Sequence, residues 1–249
     1  MQHVSSHPFR RAAPVFAGLA VLFAAAAYAA DPLPTVAPAR AGFSAAGLER
    51  IDRFYADEIA RDRIPGAIVA IAREGKLVYY KAFGYQDKAA GTPLRMDAIF
   101  NLASMTKVLT VVSALTLYEE GRLPLKAPLS NYYPQFKSMQ VGSVDAGGAL
   151  RTEPAKQPIF IQDTMRHTTG LTYGARGNSA IHKLYPGSSS GAAFAMTGPE
   201  FMDALAKLPL LYQPGTTWDY GFSIDVLGLV VEKVTGKSLG GASEERVWS

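Results

Sequence analysis

Two side chains set three residues apart could carry covalent chemistry. Ser104 and Lys107 stand in the run Asn101, Leu102, Ala103, Ser104, Met105, Thr106, Lys107. Apolar residues of helical character follow: Val108, Leu109, Val111, Val112, Ala114, Leu115 and Leu117. With Ser104 in the first turn of that helix, the two side chains share a face, because residues i and i+3 are neighbours. A serine hydroxyl is a weak nucleophile until a base lies within hydrogen-bond reach. A lysine one turn along supplies either that base or a positive charge. The helix start adds free N–H groups and a positive field that favour a developing anion.

Ser-x-x-Lys by itself is a loose pattern, since a surface helix with a small hydroxyl and a lysine gives the same letters. A Ser-His-Asp hydrolase would instead use His167, with Asp219 or Asp225 as its partner. No Gly-x-Ser-x-Gly elbow surrounds Ser104, and His167, Thr168, Thr169, Gly170 read as a helix end. His182 lies in a Gly/Ser-rich stretch and reads as a surface residue.

Composition narrows the chemistry further. The 249 residues contain no cysteine, so disulfides, thiolate catalysis and Cys-based zinc sites are excluded. Of the four histidines, His3 and His7 fall in the N-terminal leader, which leaves too few for a multi-histidine metal site. No cofactor motif is present. The net charge is +4, and without the leader's Arg10 and Arg11 it is +2. That balance, with no basic block, argues against nucleic acid as a partner.

The elements that must position the pair can be read in order. Arg10 and Arg11 precede an apolar run over residues 12–27, and Ala27, Tyr28, Ala29 supply small residues for cleavage. Residues 1–29 thus read as an export signal, placing the mature chain in the periplasm or outside the cell with no stable membrane span. Residues 30–42, with Pro32, Pro34 and Pro38, read as a linker, and the folded domain spans residues 43–249. Ser44 caps a helix running to about Arg61. Residues 67–71 and 77–84 form an antiparallel hairpin around Arg73, Glu74, Gly75, Lys76. The Ser104 helix stops at Gly121. Residues 144–158 read as exposed loop, and 173–198 as a lid or flexible loop. Helices follow over 161–167, 199–208, 224–234 and, in part, 239–248. The pattern is α+β.

Five groups of residues stand in one order along the chain. They are Phe100, Asn101, Leu102, Ala103, Ser104, Met105, Thr106, Lys107; then Glu119, Glu120, Gly121, Arg122, Leu123, Pro124, Leu125; then His167, Thr168, Thr169, Gly170, Leu171. Gln213, Pro214, Gly215 follow, ahead of Trp218, Asp219, Tyr220, and last come Asp225, Val226, Leu227, Gly228 leading to Glu232, Lys233, Val234, Thr235, Gly236. Together they resemble the serine β-lactamase and penicillin-binding-protein superfamily, in its class C β-lactamase-like branch with the family VIII carboxylesterases. The resemblance implies an antiparallel sheet flanked by helices plus an all-helical subdomain. It also implies that Ser104 is the acylated nucleophile, that Lys107 is the lysine of the same box, and that Tyr220 is the tyrosine of a Tyr-x-Asn box. A phenol with an ordinary pKa near 10 serves as a base at neutral pH only beside cations that stabilise the phenolate. Lys107 is the cation the sequence places there.

Two departures from that pattern matter. Phe222 stands where the box has asparagine, which tilts the expectation toward esterases over β-lactamases. The third box, a Lys-Thr-Gly or its substitute on a later sheet strand, has no counterpart, since Thr235, Gly236, Lys237 read as a helix end. The expectation is therefore a fold lacking C-terminal strands and one oxyanion donor, with activity impaired accordingly. The leading reading is a Ser-Lys-Tyr hydrolase of small esters or β-lactam-like and peptide-like amides, its oligomeric state unspecified. A β-lactamase, a D-alanyl-D-alanine carboxypeptidase, a non-catalytic penicillin sensor and an inactive remnant stay open beside it.

Overall fold

A computed structural model describes residues 33–248. The export signal expected over 1–29 lies outside the described residues. Helix α1 (Ala45–Ala60) starts where the Ser44 hydroxyl accepts the Gly47 N–H at 3.1 Å. It lies on a hairpin of β1 (Gly66–Arg73) and β2 (Lys76–Asp87), with Tyr55 stacked on Phe83 at 5.2 Å. The strands pair antiparallel from Gly66 opposite Gly84 to Arg73 opposite Lys76. Their loop is Glu74 and Gly75 with φ 51° and 69°, a type I′ turn whose twist suits a two-residue hairpin. A two-residue strand, β3 (Thr92–Pro93), extends the sheet in the order β1-β2-β3. Residues before α1 run along β2, where Val36 N–H reaches the Leu77 carbonyl at 3.0 Å.

The main core lies in the helical part. Helix α2 (Thr106–Glu119) packs on α6 (Ser223–Thr235), which also contacts α3 (Ile161–Met165) and α7 (Leu239–Ser243). Val226, Leu227, Val230 and Val231 of α6 are fully buried with Ala114 and Leu117 of α2. The spacing of these residues gives each helix one apolar stripe, and the stripes face each other. The outer face of α2 also carries exposed apolar residues: Val108 is 66% exposed, and Val112 and Leu115 also show on the surface, as does Met105 just before the helix.

Three local expectations are corrected. Ser104 is not in the first α-helical turn but in a 3-10 turn over Ala103–Met105 that feeds α2. The stretch 144–158, expected to be loop, contributes to a second hairpin, β4 (Gln140–Val144) with β5 (Leu150–Pro154). The Gly and Pro content hid it, because the strands end at the turn-forming residues 145–149, where the Asp145 carboxylate caps the Gly147 and Ala149 N–H groups. Residues 173–198 are folded, with 3-10 turns, helix α4 (Ser189–Ala195) and buried Tyr173, Ile181, Tyr185 and Ala192. Helix α5 (Gly198–Leu205) follows.

Candidate active site

Ser104 is delivered to the surface by a tight approach. The Asn101 side chain accepts the Ala103 N–H at 2.9 Å, and Ala103 is held at φ 46°, a left-handed conformation uncommon for a residue with a Cβ. The next residue is Ser104, exposed at the mouth of α2. Lys107 follows on the same side, half-buried.

Tyr220 arrives from the far side of the sequence. Two loops are zipped together to hold it. The Gly215 N–H reaches the Thr168 carbonyl at 2.8 Å, the Asp219 N–H the His167 carbonyl at 2.9 Å, and the Phe222 N–H the Leu171 carbonyl at 3.2 Å. At Gly221 there is no room for a side chain, since a Cβ would lie 2.1 Å from the Leu171 carbonyl oxygen. The result is a Tyr220 hydroxyl that donates to Ser104 Oγ at 2.6 Å. Lys107 Nζ lies 5.3 Å from the centre of the Tyr220 ring. The three residues singled out from the sequence are therefore brought together.

The structure adds members that sequence reasoning missed. Arg176 places its guanidinium carbon 6.0 Å from the Tyr220 ring and its Nε 3.8 Å from Asp219. A second cation thus flanks the phenol. The Tyr173 hydroxyl bonds Ser189 Oγ and donates to Asp225 Oδ2 at 3.4 Å. In the sequence Asp225 stands as a triad candidate and opens the fifth group of the resemblance, with no role beside Lys107 assigned to it. The signal that marks it is a lone acid in the apolar run Ile224 to Val231 of α6. Burial alone would lower the Lys107 ammonium, but Tyr173, Asp225 and the bond to Tyr220 outweigh it, so its pKa is raised. Burial pushes the Asp225 carboxyl and the Tyr173 phenol up.

His167 serves differently from a catalytic triad histidine. Its Nδ1 accepts the Gly221 N–H at 3.3 Å, and its ring lies against that of Tyr220 at 4.6 Å. Burial, then the charge of Lys107, lowers its pKa from 6.5 to about 4, so it is neutral at pH 7. The carboxylates of Asp219 and Asp225 turn instead to Arg176 and Tyr173. His182 is half-buried and pairs with Ser179 Oγ at 2.7 Å. Phe222, at the asparagine position, is fully buried and packs edge-on against Tyr173 at 4.5 Å and Phe201 at 5.2 Å. That position serves the core here.

Ser104, Lys107, Tyr173, Ser189 and Asp225 line one cavity of about 360 Å³. That is the size of a small-molecule site. Among the described residues no cluster of His, Asp and Glu could hold a metal ion, and no helix is long and apolar enough to cross a membrane.

A hydroxyl at a helix mouth, a phenol bonded to it and an ammonium beside the phenol stand together on an α+β frame. The chain belongs to the Beta-lactamase family, whose model matches residues 51–249. It is similar to esterase EstB of Burkholderia gladioli, 32% identical over 201 residues that make up 80% of this chain and 48% of that one. It is likewise similar to lovastatin esterase of Penicillium rubens, 32% identical over 207 residues, 80% of this chain and 50% of that protein. Among solved structures it resembles EstCE1, described as a hydrolase with promiscuous acyltransferase activity. The TM-score is 0.66 at 29% identity, over 80% of this chain and 50% of that one. The chain spans about half the length of the curated relatives it matches.

Proposed function

We propose that this chain carries the acylation centre of a serine hydrolase acting on small esters. The observation behind the reading is the 2.6 Å bond between Tyr220 and Ser104 with Lys107 beside the same ring. Ser104 Oγ is the nucleophile and Tyr220 takes its proton, with Lys107 and Arg176 as the cations flanking the Tyr220 ring. The Ser104 proton passes to the phenolate oxygen as Oγ bonds the ester carbonyl carbon. Tyr220 then returns that proton to the departing alkoxide, and water attacks the acyl-enzyme by the same route in reverse. Export to the periplasm or beyond belongs to the same proposal and rests on the basic and apolar leader.

Ester cleavage is favoured over β-lactam cleavage because Phe222 is packed in the core and offers no amide to a substrate. The relatives named as esterases support the same direction. The test is to incubate the chain with p-nitrophenyl butyrate and follow both product and protein mass. Continuous release with a transient acyl adduct on Ser104 supports a hydrolase. One stoichiometric adduct without turnover means an acyl-binding sensor, and no adduct at all removes the reading.

A further inference from the structure

The cavity at Ser104 does not end at the polar groups behind it. A second cavity of about 310 Å³ adjoins it, since Ser189, Asp225, Gly228 and Leu239 line both. This chamber lies between α4, α5, α6 and the start of α7. Its walls are apolar: Ala192 and Ala193 of α4, Met196 just after it, Phe201 of α5 and Leu229 of α6. Along α6 it runs from Asp225 to Glu232, about 10 Å of helix at 1.5 Å per residue.

The polar side chains that border the chamber already have partners. The Thr197 hydroxyl donates to Glu200 Oε2 at 2.7 Å, and at the far end Glu232 Oε1 accepts the Leu239 N–H at 2.8 Å. At the entrance from Ser104, the Tyr173 hydroxyl sits between Ser189 Oγ and Asp225 Oδ2. A polar ligand group entering here gives up water and finds these partners taken, which is costly. A hydrocarbon gives up no hydrogen bond and gains by leaving water.

Ser104 also borders a cavity of about 390 Å³ on the outer side of α2, where Val108, Val111 and Val112 are apolar as well. Burial decides between the two. Val108 is 66% exposed, whereas Ala192 and Phe201 are 4% and 7% exposed. The gain per methylene scales with the area removed from water, so the better-enclosed chamber holds a chain more strongly.

We propose that the chamber between α4, α5 and α6 is an acyl-chain site, and that the substrate is an ester of a medium-length aliphatic acid whose tail passes Ser189 and lies along α6. Ala193 and Met196 on the chamber wall are then specificity-determining residues. The assignment deepens, and rests on, the reading of Ser104 as nucleophile. In the acylation step Oγ bonds the carbonyl carbon, the Ser104 proton goes to Tyr220, and the alkoxide departs with the electron pair of its C–O bond.

The test compares p-nitrophenyl butyrate with p-nitrophenyl octanoate, each read as the second-order rate of Ser104 acylation by nitrophenolate release and protein mass. Each further methylene that enters the chamber is worth about fourfold, so octanoate should react at least about tenfold faster than butyrate. Ala193→Phe and Met196→Trp, which fill the chamber, should lower the octanoate-to-butyrate ratio by about tenfold. Val112→Phe, on the outer side of α2, should leave that ratio in place. If only one filling variant folds by circular dichroism, that variant decides. A chain that takes a fluorophosphonate on Ser104 yet shows no preference for octanoate overturns the assignment alone. So does a ratio unchanged in the folded filling variants, or one lowered in Val112→Phe instead. Failure of both esters and the fluorophosphonate to modify Ser104 removes the nucleophile reading and the assignment with it.

Discussion

The hydroxyl oxygens of Tyr220 and Ser104 lie 2.6 Å apart although 116 residues separate them in the chain. The contact is made by two different devices. A 3-10 turn and an Asx-type bond set Ser104 at the mouth of α2. A pair of zipped loops, 167–172 and 215–222, sets Tyr220 above it. Each device has consequences that can be measured.

Removing the ammonium should cripple acylation without unfolding the chain. Lys107 lies at the cavity rather than in the α2–α6 core. Lys107→Ala is expected to slow fluorophosphonate labelling of Ser104 by about 10²–10³-fold, the usual scale for loss of one electrostatic stabiliser at a reacting centre. Thermal melts should stay close to those of the unaltered chain. Labelling at the original rate would show that the cation is not needed.

Arg176 offers a milder perturbation of the same field. Its guanidinium sits 6.0 Å from the Tyr220 ring and is largely solvent-facing. Arg176→Gln should slow Ser104 labelling several-fold at low salt. The difference from the unaltered chain should shrink in about 1 M salt, where the Debye length is only about 3 Å. A salt-independent difference would point to packing as the cause.

The zip between the loops leaves no tolerance at Gly221. A methyl group there meets the Leu171 carbonyl at 2.1 Å, so the loops must separate. Gly221→Ala is expected to cost about 1–3 kcal/mol in denaturant unfolding, as overpacking does, and to slow Ser104 labelling as Tyr220 moves away. Unchanged stability together with unchanged labelling would contradict the loop arrangement.

His167 makes the fold sensitive to acid. Its folded pKa of about 4 lies below the ordinary 6.5, so between those values the unfolded chain binds a proton that the folded chain does not. Stability from this residue is present above pH 6.5 and is lost as pH falls toward 4. His167→Gln should flatten that part of the pH dependence, read as the difference in urea midpoint between the two chains from pH 7 to pH 4.5. A parallel pair of curves would show that His167 does not titrate there.

The sequence carried local devices well and distant ones poorly. The Ser44 cap, the Glu74–Gly75 turn and the stop at Gly121, where φ is 71°, follow from residue types within a few positions. Helix α6 and its Gly236 end follow from spacing in the same way. The hairpin β4–β5 was hidden because two five-residue strands around a Gly- and Ala-rich turn over 145–149 carry little periodic signal. At the site, Ser104 and Lys107 were visible because they share a helix start, and Tyr220 became visible through family resemblance. Arg176, Tyr173 and Ser189 lie in a stretch whose Gly and Ser content reads as loop. Their contacts with Tyr220 and Asp225 depend on how 173–198 folds back over α6, which no local pattern records.

The most direct test of the account is the rate at which a fluorophosphonate forms a covalent adduct, mapped by peptide mass spectrometry, in the unaltered chain and in Tyr220→Phe. The account predicts labelling at Ser104 in the unaltered chain, slowed by about 10²-fold or more in Tyr220→Phe and absent in Ser104→Ala. An adduct on another residue, or equal labelling of Ser104 with and without the Tyr220 hydroxyl, would contradict it.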